Sequence, residues 1–159
     1  MKLYLVRHAE ALDHIDDARR ELSPKGVRQS EALGRFLKNG GVQFDAAYSS
    51  PLIRARQTTG IVLDVTNSKE PLEYELAGAL VNATRVEDFT NWLKTLPQSR
   101  NILLVGHEPT MSERIQSLLE VSSGYTIEMK KAACCCLESQ DMQHAVLKFH
   151  ITPKILGVK

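Results

Sequence analysis

The sequence predicts an α/β fold, a three-layer α/β/α sandwich around a mostly parallel central sheet with an antiparallel C-terminal edge. Three observations predict it. The apolar runs Leu3-Tyr4-Leu5-Val6 and Ile102-Leu103-Leu104-Val105 have the unbroken hydrophobicity of parallel strands buried on both faces. Helical patterns alternate with the strands, as they do where helices cover a parallel sheet. Finally, Ala132 to Leu137 and Ala145 to Ile151 read as two strands joined by the polar Glu138 to His144, most simply a hairpin on one sheet edge.

Taken in order, the first strand is followed by a polar, aspartate-rich loop from Ala11 to Glu21. Leu22-Ser23-Pro24-Lys25-Gly26 then reads as a helix entry, with Ser23 as N-cap and Pro24 at the first helical position. Val27, Ser30, Leu33, Phe36 and Leu37 fall on one helical face, and Gly40-Gly41 closes the helix. Val42 to Tyr48 is expected to hold a short second strand. Ser49-Ser50-Pro51 makes a turn into a helix that starts near Leu52 and fades near Asp64. Residues 70–76 are expected to hold a short extended piece, and Thr84 to cap a helix reaching Leu96, with Val86, Phe89, Trp92, Leu93 and Leu96 inward. After the strand at Ile102, Glu108-Pro109-Thr110 opens a helix with Met111, Ile115, Leu118 and Leu119 on its core face.

The 159 residues are expected to form one domain of common size, 1–159, with no internal repeat, low-complexity tract or linker. A hydrophobic content of 43% is enough for a core, and a formal net charge of +1 argues against a broad nucleic-acid footprint. The apolar run before Arg7 is too short for a signal peptide or membrane helix. Cys134, Cys135 and Cys136 are consecutive, so they build no disulfide framework; on a strand they point to alternate faces as small hydrophobes. A cytoplasmic location is expected.

Chemistry gathers at the strand ends. Arg7-His8 follows the first run directly and Gly106-His107 follows the second; Arg54 lies where a helix begins after Ser49-Ser50-Pro51. Ligands of open α/β sheets bind outside the carboxyl ends of parallel strands. Two histidines and two arginines arriving there suit a phosphoryl group attacked by a neutral imidazole.

The motifs carry a resemblance. Leu5-Val6-Arg7-His8-Ala9-Glu10 resembles the Arg-His-Gly motif of the histidine phosphatase superfamily, which includes the cofactor-dependent phosphoglycerate mutases. Leu22 to Ser30 looks like that family's L-T-x-x-G-x-x-Q-A helix entry. Ser49 to Thr58 is similar to its S-S-P-x-x-R-A-x-Q-T segment, and Val105-Gly106-His107 to its late Gly/Ser-His motif. These motifs span about Lys2 to Glu113 in the family's order. Ala9 stands where Gly is usual, as in the small SixA-type phosphohistidine phosphatases, and the short chain points to the same branch. The resemblance implies a phosphoglycerate mutase-like fold.

By this resemblance His8 is the nucleophile, and a phosphohistidine enzyme divides the transfer into two steps. Arg7 and Arg54 clamp the phosphoryl oxygens, and His107 donates a hydrogen bond to that group or steadies charge beside His8. The plainer readings, a strand-end histidine with a structural hydrogen bond and a solvated arginine, yield to the motif context here. They hold for His14, His144 and His150 and for Arg28, Arg35 and Arg56. The general acid is the weak member: Glu75 faintly resembles the mutases' mid-chain glutamate, with Glu73 next, although an exposed glutamate is the default. That weakness favours a P–N substrate. An alkoxide must be protonated as it leaves, whereas imidazole leaves neutral. Metal is set aside, because no His-x-x-x-His or Cys-x-x-Cys pair occurs and Arg7 would repel a cation beside His8.

The expected function is therefore that of a metal-independent, cofactor-free phosphohistidine phosphatase. Its partner would be a phosphotransfer domain or phosphocarrier protein, with no nucleic acid or membrane, and a monomer is favoured. The alternatives are a phosphatase (less so a mutase, which usually carries longer insertions) for a small phosphomonoester, and an inactive module that binds phosphorylated proteins. Asp13 to Arg20 is expected to form the pocket rim.

Overall fold

A computed structural model describes residues 1–122 and 127–159. Among the described residues ten regular elements follow one another: β1 (Lys2–Arg7), α1 (Pro24–Asn39), β2 (Ala46–Ser49), α2 (Ile53–Thr66), β3 (Glu75–Leu76), α3 (Val86–Leu93), β4 (Asn101–Gly106), α4 (Thr110–Leu118), β5 (Cys134–Ser139) and β6 (Ala145–Ile151). Single 3-10 turns add Asp17–Arg19 and Gly78–Leu80. The strands make one sheet in the order β3-β2-β4-β1-β5-β6. β1, β2, β3 and β4 run parallel, while β5 and β6 add antiparallel to the β1 side. This is the expected α/β architecture. Among the described residues, no helix is long and apolar enough to cross a membrane.

Strand alternation divides the core in two. Tyr4, Val6, Leu103 and Val105 pack with Leu33, Leu37, Ala55 and Val62 of α1 and α2. Leu3, Leu5, Ile102 and Leu104 face the other way, onto Phe89 and Leu93 of α3 and Met111 and Ile115 of α4. Each fully buried aliphatic of this kind contributes about 1.5–3 kcal/mol. The cysteines divide likewise, Cys134 and Cys136 into the first cluster and Cys135 into the second, all three as buried free thiols.

Local signals set α1. Ser23 accepts from the Gly26 N–H at 3.0 Å, Pro24 opens the helix and Gly40 caps it. Gly26 is required by close approach, since a Cβ there would lie 2.0 Å from the Glu10 carbonyl oxygen. Phe36, expected inward, is more than a third exposed; its ring meets Phe149 of β6 edge to face at 5.8 Å.

Several boundaries move for physical reasons. β2 begins at Ala46 rather than Val42, because the backbone of Phe44 pairs with the side chain of Asn67 at 3.2 and 2.9 Å and not with a strand. Thr84 does not cap α3: its hydroxyl donates to the Gly78 carbonyl at 2.8 Å, and the helix starts after Arg85. Glu87 and Asp88 in the first turn suit the positive helix end, and the helix stops at Leu93, short of Leu96. β5 begins at Cys134, because Ala132 adopts a left-handed conformation and turns its N–H onto the carbonyls of Arg7 and His8. The rim loop contains the Asp17–Arg19 turn and closes through an Ala11–Leu22 bridge.

For function, the consequence lies in register. Arg7 pairs with Gly106 and Ser49 with Val105, so His8, His107 and Ser50 leave three adjacent parallel strands at one edge. Backbone bonds extend the ladder past that edge, from His8 N–H to the Gly106 carbonyl at 3.0 Å and from Ser50 N–H to the Val105 carbonyl at 2.9 Å.

Candidate active site

His8 and His107 face each other with ring centroids 5.0 Å apart. His8 is buried, and its Nδ1 lies 2.7 Å from its neighbour's carbonyl, Ala9 O. A carbonyl only accepts, so Nδ1 carries the proton and Nε2 keeps its lone pair. Arg54 Nε donates to that Nε2 at 3.3 Å. Burial, and then the charge of His107, Arg54 and Arg7, pushes His8 down to about 3 despite the Ala9 bond, so the ring is neutral at pH 7. The Ala9 side chain causes no conflict: it has no positive φ, sits buried against Leu22 and Ala132, and its N–H donates to Thr58 Oγ1 at 3.0 Å.

His107 is also buried and is pushed down to about 4, first by burial and then by Arg54. Its Nε2 lies 2.7 Å from Ser50 Oγ, while its Nδ1 is buried without a partner. With the serine hydroxyl donating, Nδ1 carries the proton and is a free donor. Arg7 is arranged similarly: Nη1 donates to the Met129 carbonyl at 2.9 Å and Nε is buried and unpartnered. Buried polar groups are rarely left unpaired in a protein, and two orphans at one strand edge mark a place for an acceptor-rich ligand.

Arg54 is the second residue of α2, where the turn through Ser50 and Pro51 leads into the helix. Nη1 and Nη2 both go to the rim loop, to the Asp17 carbonyl at 2.7 Å and its carboxylate at 3.0 Å. The expected rim thus reaches the site through Asp17. Burial acts to raise the Asp17 carboxyl, but hydrogen bonding and charge from Arg54 outweigh it and hold it below the ordinary value.

Glu75 does not join this cluster. The sheet register aligns Glu75, Tyr48, Leu104 and Leu5 across four strands, so Glu75 lies about 14 Å to the side of β1, in a row below the edge. Glu75 and Glu73 are both exposed. A carboxylate that the sequence reading passed over lies closer: Glu108, next to His107, is half-buried and interacts electrostatically with Arg7. Burial pushes Glu108 up, against a 2.8 Å hydrogen bond from Ser112 and the charge of Arg7. Its position directly after His107 was the available signal.

Arg114, also unforeseen, is fully buried over the Phe89 ring at 4.7 Å and donates to the Val81 carbonyl at 2.9 Å, which ties α4 to the loop beside His107. Burial pushes it down to about 10. His14 and His144 stand exposed on loops, and His150 lies on edge strand β6. Burial pushes the Cys135 thiol up to about 12 and Cys134 well above its ordinary value. Among the described residues no three His, Cys, Asp or Glu side chains converge as a metal site.

Comparison with known proteins agrees with the layout. Residues 3–81 match the model of the histidine phosphatase superfamily (branch 1). An uncharacterized protein of Picosynechococcus sp. is 29% identical over 145 residues, covering 87% of this chain and 86% of that one. The solved protein histidine phosphatase SixA, complexed with tungstate, superposes with a TM-score of 0.89 at 23% identity, over 98% of this chain and 99% of that chain. The alpha-ribazole phosphatase of Shigella flexneri does so with a TM-score of 0.79 at 20% identity, over 96% and 97%. The same fold therefore serves phosphatases named for different substrates.

Proposed function

This chain belongs to the histidine phosphatase superfamily, and on that premise we propose that it is a phosphatase that removes phosphate from phosphohistidine on a protein. His8 Nε2 attacks phosphorus with its lone pair as the P–N bond to the substrate imidazole breaks. The substrate ring carries a proton on its other nitrogen, so the electron pair leaves with it as neutral imidazole, while His8 Nδ1 keeps its own proton and donates it to Ala9 O throughout. Water then attacks the phosphoryl group on His8, the Nε2–P bond breaks, and the ring returns to neutral as the water's proton passes to phosphate or solvent. Arg7, Arg54 and the His107 Nδ1–H are the donors for the phosphoryl oxygens, placed where charge shifts in the transition state.

The observation that carries the choice of substrate is the state of the carboxyl group held at the site. Asp17 is kept ionised by Arg54 and has no proton to give an alkoxide. A phosphohistidine ring takes the proton on its other nitrogen from solvent near neutral pH and then leaves as neutral imidazole, without a proton from the enzyme. Support also comes from the segment over Arg54, which is a short turn rather than a long lid. The neighbour whose structure was solved as a protein histidine phosphatase with tungstate, an oxyanion, fits the same reading.

Glu108, which burial pushes up, favours a second reading, a phosphatase for small phosphomonoesters with that residue as proton donor. Phosphate release from a histidine-phosphorylated phosphotransfer domain, measured against a panel of phosphate esters, separates the two. The expected result is fast release from the phosphoprotein and slow ester turnover. His8→Ala should lower the release at least about a hundredfold, while Glu108→Gln and Glu75→Gln leave it unchanged. Fast ester turnover that Glu108→Gln abolishes would move the protein to the second reading. Equal rates for wild type and His8→Ala would leave a binding module.

A further inference from the structure

A groove of about 850 Å³ is lined by Arg7 and several lysines. Its walls come from four separate stretches: Arg7 and Glu10 at the end of β1 and just beyond it, Lys25 and Gln29 on α1, Glu128, Lys130 and Lys131 before β5, and the stretch from His150 at the end of β6 to Lys159. Arg7, Lys25, Lys130, Lys131, Lys154 and Lys159 against Glu10 and Glu128 make six side-chain cations to two anions, a local +4 in a chain whose whole formal charge is +1. Both carboxylates already have lysine partners, Glu10 with Lys25 at 3.6 Å and Glu128 with Lys130. Glu10 also accepts from Ser23 Oγ at 3.0 Å. Lys131 and Lys154 have no ion pair among the described residues, and Lys154 is exposed.

We propose that this groove docks an acidic surface of the protein that presents the phosphohistidine, with Lys131 and Lys154 as its specificity-determining cations. The proposal rests on the phosphohistidine reading of the site. A phosphoryl group is served by Arg7, Arg54 and the two histidines, which leaves the cations along the groove without a task in the chemistry. Lys25 pairs with Glu10 and Lys130 with Glu128, and the cations come from separate stretches of the chain, which suits several carboxylates spread over a partner surface better than one small polyanion. Glu10 and Glu128 among them would repel the uniform charge of a nucleic-acid backbone, whereas a protein surface of mixed charge can match both signs. Arg7, the chain neighbour of His8, lines the groove, so a partner lying in it can bring a flanking histidine to His8.

The test uses the whole chain and the double variant Lys131→Glu/Lys154→Glu, with the milder Lys131→Gln/Lys154→Gln as a second variant. kcat/KM is measured at low and high salt on a histidine-phosphorylated phosphotransfer domain and on free phosphohistidine. Wild-type turnover of the phosphoprotein should fall about tenfold with salt, while that of the free amino acid stays flat. The charge-reversed variant should lose about tenfold on the phosphoprotein through KM, lose the salt dependence and keep its rate on free phosphohistidine; the glutamine variant should fall between. Equal kinetics of variant and wild type on the phosphoprotein overturn the proposal. An equal loss on both substrates also overturns it, since the lysines would then act on the site itself.

In parallel, binding of a fluorescent glutamate-rich peptide and of a single-stranded oligonucleotide is followed by anisotropy. The peptide should bind wild type and not the charge-reversed variant, and tighter binding of the oligonucleotide would overturn the choice of partner. If wild type releases phosphate from neither substrate, the phosphohistidine reading fails, and the peptide arm still decides for or against the groove.

Discussion

The two buried histidines should make the protein acid-sensitive in a way that can be assigned to them. In the fold His8 sits near 3 and His107 near 4, whereas in the unfolded chain each returns to about 6.5. Below pH 6.5 the unfolded state therefore binds protons that the folded state refuses, so stability falls as pH drops through that value. The loss levels off only once the folded rings themselves protonate. At pH 5 both rings are still neutral in the fold, and each costs about 2 kcal/mol relative to pH 7.5, about 4 kcal/mol together. That is a large part of the roughly 5–15 kcal/mol that holds a domain of this size. Urea unfolding of wild type, His8→Asn, His107→Asn and the double variant at pH 7.5 and 5.0 measures it, since asparagine does not titrate. The shifted carboxyls of Asp17, Glu108 and Asp141 contribute in every variant and cancel in the comparison. Wild type should lose about 4 kcal/mol more than the double variant over this interval, and each single variant should recover about half. A difference under about 1 kcal/mol would refute the reasoning. The rings would then be protonated in the fold, and the argument for a neutral nucleophile at His8 would fall with them. The same state predicts that kcat/KM has no rising limb near pH 6.5.

Two further changes probe the scaffold and the rim. Gly26→Ala adds a methyl that improves helix propensity but meets the Glu10 carbonyl oxygen at 2.0 Å; a net loss of about 2 kcal/mol or more in urea unfolding is expected. Asp17→Asn removes the carboxylate that competes with phosphoryl oxygens for Arg54 Nη2. Asp17 is two-thirds exposed, so solvent screens the pair, and inhibition by inorganic phosphate should tighten only up to about fivefold. A weaker inhibition would mean instead that Asp17 holds Arg54 in position.

What could be read from the chain alone was local or repeated. Ser23 and Pro24 announce a helix start because capping acts within one turn. The runs at Leu3 and Ile102 announce buried parallel strands because both faces need apolar side chains. Strand ends followed by Arg7-His8 and Gly106-His107, with Arg54 after a turn, located four of the side chains that the fold gathers at one edge. Tertiary structure alone decided the rest. Asp17 meets Arg54 across 37 positions, Ser50 meets His107 across 57, and Arg7 reaches Met129 across 122. The groove joins cations from both ends of the chain. Glu75, chosen by sequence likeness, lies aside because a two-residue edge strand sets its row in the sheet. Glu108 is raised by burial, a property of packing that no residue carries in its own identity. Periodicity and capping are short-range and leave their mark in neighbouring letters. Ion pairs, desolvation and orphaned donors depend on which distant surfaces are pressed together, and only the folded chain settles that.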